Sequence, residues 1–181
     1  MLQAEIGSAR VTAGESLPTR GHLMPDFALP SSDGKQVSLY DYRGRSNLAL
    51  FFVGPAQDSA KNQLLSVLAE RYREITDTDS EVVVVVAEST EQADEFRRER
   101  QFPFPVLADA DMHVHNSVGA FGAQAVPAAA LYITDRFLEV FATWRTGADE
   151  RLPDISDVLS WLTYLDSQCP ECTQIEWPSD D

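Results

Sequence analysis

The chain has 181 residues, 44% of them apolar, which suits one globular domain that buries its core without metal or disulfide staples. A formal charge of −15 repels phosphate backbones and anionic lipid, so nucleic-acid and membrane partners are not expected. No apolar run has the length of a membrane span, and the first residues lack a basic start followed by an apolar stretch, so the expected location is cytoplasmic.

Residues 1–20 carry no period and read as an arm. After a turn at Asp33-Gly34, GKQVSLY reads as a strand. NLALFFV (47–53) is a continuous apolar run after Asn47, the pattern of a strand buried on both faces. Leu64, Leu65, Leu68, Tyr72 and Ile75 then recur at helical spacing within 59–76. EVVVVVA (81–87) predicts a second buried, β-branched strand. Ser89 and Gln92 form a capping box for a helix running to about residue 100. FPVLADAD and a short helix or loop over 112–120 follow. Val126-Pro127 leads into AAALYITD, and FLEVFATW (137–144) pairs with that strand as a hairpin. A last helix over 154–166 carries Ile155, Val158, Leu159, Leu162 and Leu165 on one face, and 167–181 forms a tail. The alternation predicts an α/β domain over 21–166, its sheet covered by helices on both faces.

Three stretches carry a family resemblance: MPDFALPSSDGKQVSLYDYRGRSNLALFF (24–52), FFVGPAQDSAKNQLLSVLAERY (51–72) and AVPAAALYITDRFLEVF (125–141). In this order they resemble the peroxiredoxin-like redoxins of the alkyl hydroperoxide reductase/thiol-specific antioxidant family. The resemblance implies a thioredoxin-like fold with a central mixed β-sheet flanked by helices. It also implies that the Val126-Pro127 bond is cis and faces the N-terminus of the 59–76 helix. Antioxidant or oxidoreductase activity is the family's general expectation, and homodimers are common within it.

The family's catalytic cysteine sits where the first core strand gives way to a helix, because the helix N-terminus stabilises thiolate over thiol. Here that junction reads GPAQDSAK, and the cysteine positions fall on Gln57 and Ala60, with Lys61 as the basic neighbour. The corresponding pocket consists of Pro55, Gln57, Asp58, Ser59, Ala60, Lys61, Val126 and Pro127 and contains no sulfur. Asp58 and Ser59 offer a base and a nucleophile in principle, but both are favoured helix caps, and no histidine is near in sequence to complete a Ser-His pair.

The two cysteines, Cys169 and Cys172, stand in a Cys-Pro-Glu-Cys motif after the last helix. The motif admits three readings: an incidental or structural pair, a redox-active disulfide acting as the catalytic pair, and half of a zinc site completed by a second copy. The helix C-terminus, Glu171 and the acidic tail all disfavour thiolate there. His113 and His115 have the spacing of a metal pair on a strand face, but in a connecting segment they read as solvated. No cofactor is expected, and no metal within one chain. The leading functional expectation is a redoxin-fold protein with a binding, regulatory or structural role and no cysteine-based peroxidase activity. The alternatives are thiol-disulfide exchange through Cys169 and Cys172 and a zinc-linked dimer through the same pair. A homodimer is expected in any case, with Phe102, Phe104, Phe121 and Trp144 as apolar contact residues.

Overall fold

The computed structural model describes residues 17–54, 59–121, 126–146 and 152–168, with residues 59–62 described by their backbone alone. A five-stranded sheet is built from β3 (Asn47–Val53), β4 (Ser80–Val86), β5 (Val106–Ala108), β6 (Ala130–Thr134) and β7 (Val140–Arg145). Its spatial order is β5-β4-β3-β6-β7. β3 pairs with β4 in parallel, from Asn47↔Ser80 to Val53↔Val86, and with β6 antiparallel, so the sheet is mixed. A separate antiparallel hairpin joins β1 (Ala28–Pro30) to β2 (Gln36–Ser38).

The uninterrupted apolar run of β3 is explained by two cores. Ala49, Phe51 and Val53 enter one, with Leu65, Leu68, Phe96, Val158 and Leu162 from the helices. Leu48, Leu50 and Phe52 enter the other, with Leu29, Leu39, Val114 and Tyr132. Every residue of β3 is therefore buried. Full burial of side chains such as Phe51 and Leu50 is worth about 1.5–3 kcal/mol each, so the strand is fixed by side chains on both faces.

Helices α1 (Ser59–Glu70), α2 (Tyr72–Thr76), α3 (Thr90–Arg100) and α5 (Ile155–Asp166) follow the expected periods, and the short helix or loop expected over 112–120 is the helix α4 (His113–Val118). The expected 59–76 helix is two helices, because Arg71 leaves helical geometry at φ −99°, ψ 11°. The expected box at Ser89 and Gln92 caps α3 from both sides. A second box ends β2 early: the Ser38 amide donates to Asp41 at 2.8 Å and the Ser38 hydroxyl accepts from Tyr40 at 3.2 Å, starting a 3₁₀ turn over Leu39–Tyr42. The hairpin strand expected from 137 begins only at Val140. The Asp135 carboxylate accepts from the Phe137 and Glu139 amides, both at 2.9 Å, and holds residues 135–139 as the turn.

Phe102 and Phe104 are buried in the first core, stacked on each other at 5.0 Å. They do not form the exposed contact expected of them, because α3 and β5 bring them under the domain's own surface. Phe121 and Trp144 are half-buried. Pro18 is buried, and its carbonyl accepts from Arg145 Nη2 at 2.6 Å. Among the described residues, no helix is long and apolar enough to cross a membrane.

Candidate functional site

β3 ends at Val53, and Gly54 follows it, buried. A side chain does not fit there: a Cβ on Gly54 would stand 2.6 Å from the Pro127 carbonyl oxygen. Close approach of two backbones is thus what requires glycine at this point. Pro127 is held in turn by a bridge to Phe121, and Val126 beside it is 54% exposed. Pro127 therefore lies against Gly54 at the end of β3, and the helix N-terminus it was expected to face lies partly outside the described residues. The expected cis bond does not occur, since no peptide bond among the described residues is cis. Trans is favoured for X–Pro by about 0.5–1 kcal/mol, and the trans chain already brings Pro127 to Phe121 and Gly54.

Pro55, Gln57 and Asp58 lie outside the described residues, as do Cys169 and Cys172. Ser59, Ala60 and Lys61 contribute the first backbone turn of α1, and their side chains also lie outside the description. Of the expected pocket, the structure brings Pro127 against Gly54.

A group that sequence reasoning did not assign stands at the same strand end. Asp109 follows β5, and its amide donates to the Val86 carbonyl at 2.8 Å, at the end of the neighbouring β4. Both Asp109 and His115 are fully buried. His115 Nδ1 lies 2.6 Å from Asp109 Oδ2, and His115 Nε2 lies 3.2 Å from the Val53 carbonyl oxygen. The Asp109 carboxylate also accepts from the amides of His115 at 2.8 Å and Val114 at 3.3 Å. Burial alone pushes this carboxyl up. The bonds from the His115 ring and from the two amides, with the attraction of the His115 charge, outweigh burial and leave it below the ordinary carboxylate value. The His115 ring meets the Phe52 ring edge-on at 5.5 Å, and Phe52 meets Tyr132 in the same way at 5.9 Å. The Tyr132 hydroxyl donates to the Val118 carbonyl and accepts from Arg145 Nε at 2.8 Å.

His113 and His115 are not a solvated loop pair. Both lie on α4, where His115 is buried and His113 is exposed, its Nδ1 at 2.7 Å from Asp111. The helical turn explains the split, because residues two apart on a helix point away from each other. Val114 and Val118, four apart and both buried, were the available sign that 113–118 is a helix with one face inside. No feature of the sequence announced that the Val53 carbonyl would be a partner of His115.

Residues 20–142 match the AhpC/TSA family. A provisionally named peroxiredoxin of Mycobacterium tuberculosis is 32% identical over 104 residues, 58% of this chain and 66% of its own length. Peroxiredoxin Q of rice chloroplasts (Oryza sativa subsp. japonica) is 24% identical over 139 residues, 75% of this chain and 62% of its own length. Peroxiredoxin Bcp of Escherichia coli K12 is 26% identical over 102 residues, 56% of this chain and 65% of its own length. The chain thus spans just under two thirds of these relatives. In fold it is similar to the peroxidoxin BcpB of M. tuberculosis, at a TM-score of 0.73 and 18% identity, covering 82% of this chain and 98% of that one. It is similar also to AhpC of Mycobacterium bovis, at a TM-score of 0.73 and 19% identity, covering 88% and 100%.

Proposed function

The chain belongs to the AhpC/TSA family, as a peroxiredoxin-like redoxin of thioredoxin-like fold, and from that premise we propose that it acts as a binding or regulatory redoxin and not as a cysteine peroxidase. The observation that carries this reading is the strand-to-helix junction, where residues 54–61 contain no cysteine. The thiolate is the group that attacks a peroxide oxygen, and neither Gln57 nor Ala60 replaces it. Among the described residues, the end of β3 is held by a close-packed frame of Gly54, Pro127, Asp109 and His115. The test is peroxide consumption by the purified chain with thioredoxin or dithiothreitol as reductant. Turnover at or near the rate without protein is expected.

The relatives' names favour a second reading, thiol-disulfide exchange through Cys169 and Cys172. It predicts turnover that disappears in Cys169→Ser or Cys172→Ser, and that result would replace the first reading. Assembly as a homodimer, in the cytoplasm, is part of the same proposal and rests on the family likeness. Light scattering across a range of salt concentrations checks the dimer: a mass near that of one chain throughout would remove it.

A further inference from the structure

The ring of His115 faces two acceptors. Its Nε2 lies 3.2 Å from the Val53 carbonyl oxygen, and a carbonyl oxygen only accepts, so Nε2 must carry a hydrogen for the bond to exist. Its Nδ1 lies 2.6 Å from Asp109 Oδ2. Asp109 accepts from the amides of Val114 and His115 and has the His113 ring nitrogen 3.2 Å from Oδ1. A carboxylate ringed by donors is stabilised in its ionised form, and it then accepts at Nδ1 as well. A neutral imidazole has one N–H and one lone pair, so it satisfies one of these partners and points a lone pair at the other.

We infer that His115 is held as an imidazolium, and that it is a positioning residue tying the end of β3 to the turn between β5 and α4 only while both ring nitrogens are protonated. Paired with the Asp109 carboxylate it forms a unit of zero net charge, the form a fully buried site tolerates best. Among the described residues, the other ionisable groups around the ring are few. On its own segment these are His113 and Asp111, bonded to each other. β3 presents the Phe52 ring and the Val53 carbonyl, which do not titrate. Tyr132 of β6 touches the same Phe52, with Arg145 of β7 on its hydroxyl.

The consequence is directional. Raising the pH transfers one ring proton to water or hydroxide. The charge-assisted bond to Asp109 is the stronger of the two, so the bond to Val53 is the one given up. The carbonyl that precedes Gly54 then loses its donor, and the start of the junction is released. This latch acts on the backbone and goes beyond the proposed function, since it holds whether the junction binds or reacts.

Nuclear magnetic resonance on the full, isotope-labelled chain tests it directly. His115 should show protons on both ring nitrogens at neutral pH and lose one in a single transition only as the pH is raised further. The Val53 carbonyl carbon shift should follow that same midpoint. A lone-pair-bearing ring nitrogen at neutral pH, or a Val53 shift that ignores the ring's transition, would overturn the inference. In His115→Gln the side-chain amide still offers an N–H that does not titrate, so the Val53 shift should become independent of pH. Persistence of the transition in that variant would also overturn it. Should the variant not fold, the unaltered chain's two readings decide.

Discussion

The two ends of the central sheet each carry a carboxylate away from bulk water, and the two behave in opposite ways. At the C-terminal end, Asp109 is ringed by the His115 imidazole and two amides, and its carboxyl is held below the ordinary value. At the N-terminal end, half-buried Glu81 accepts from the Tyr72 hydroxyl at 2.7 Å and from the Val82 amide at 2.8 Å. There burial outweighs both bonds and the carboxyl is raised. Burial and the Glu81 charge also push the nearby Tyr42 hydroxyl up to about 12. That end tolerates loose accounting of polar groups, since Asn47 Nδ2 and Thr134 Oγ1 are buried there without a hydrogen-bond partner. The comparison teaches that burial alone does not set the sign of a shift. The number and charge of the donors decide it, and this chain places the full set of donors at the end where its family keeps its chemistry.

The largest effect should come from breaking the satisfied end. Asp109→Asn leaves His115 buried without its counter-charge, and urea unfolding should show a loss of about 3–5 kcal/mol at neutral pH. An unchanged midpoint would mean that the two carboxylates are equivalent after all. Gly54→Ala comes next. Its Cβ would meet the Pro127 carbonyl oxygen at 2.6 Å, and backbone must move to admit it. Thermal unfolding should reveal a cost of about 1–3 kcal/mol, the usual range for overpacking.

The opposite shifts separate the two groups by pH. Asp109 is depressed, so its stabilisation is present above its unfolded value of about 3.9 and is lost as pH falls through the lower folded value. Glu81 is raised, so its ionised form weakens the fold at neutral pH. That cost fades as pH falls through the folded value toward the unfolded one, about 4.3. Glu81→Gln keeps an acceptor for Tyr72 and should raise stability at neutral pH by up to about 1 kcal/mol, reduced by solvent screening at this half-buried site. It should also remove the gain on mild acidification and leave the loss at lower pH in place. A variant less stable than the parent at neutral pH would show that the bonds to Tyr72 and Val82 dominate. The smallest effect belongs to His113→Ala. His113 shares Asp109 with His115 but is 57% exposed, so a change within about 0.5 kcal/mol is expected by denaturant titration. A larger loss would extend the buried pair to include it.

Much of this was legible in the chain. The run NLALFFV reads as a strand covered on both faces, and the two cores show why Leu48 to Val53 are all apolar. The box at Ser89 and Gln92 set the start of α3 because its chemistry is local. The boundaries that shifted did so through equally local chemistry that the apolar pattern overshadowed, namely Asp135 gathering the turn and Ser38 with Asp41 ending β2. At the site, the lack of sulfur in residues 54–61 was visible at once, and so was the proline that meets Gly54.

The sequence by itself determined the alternation of elements, the family and the identity of the atoms available for chemistry, because periodicity, capping and composition act over a few residues. Only the tertiary structure decided that His115 is buried while His113 is not, and that its ring spans from Asp109 to a carbonyl 62 positions away. It also decided that Phe102 and Phe104 serve the chain's own core. The physical reason is common to all three: a side chain's partners and protonation depend on which distant backbone the fold carries to within 3 Å or so, the reach of a hydrogen bond, and no local pattern encodes that distance.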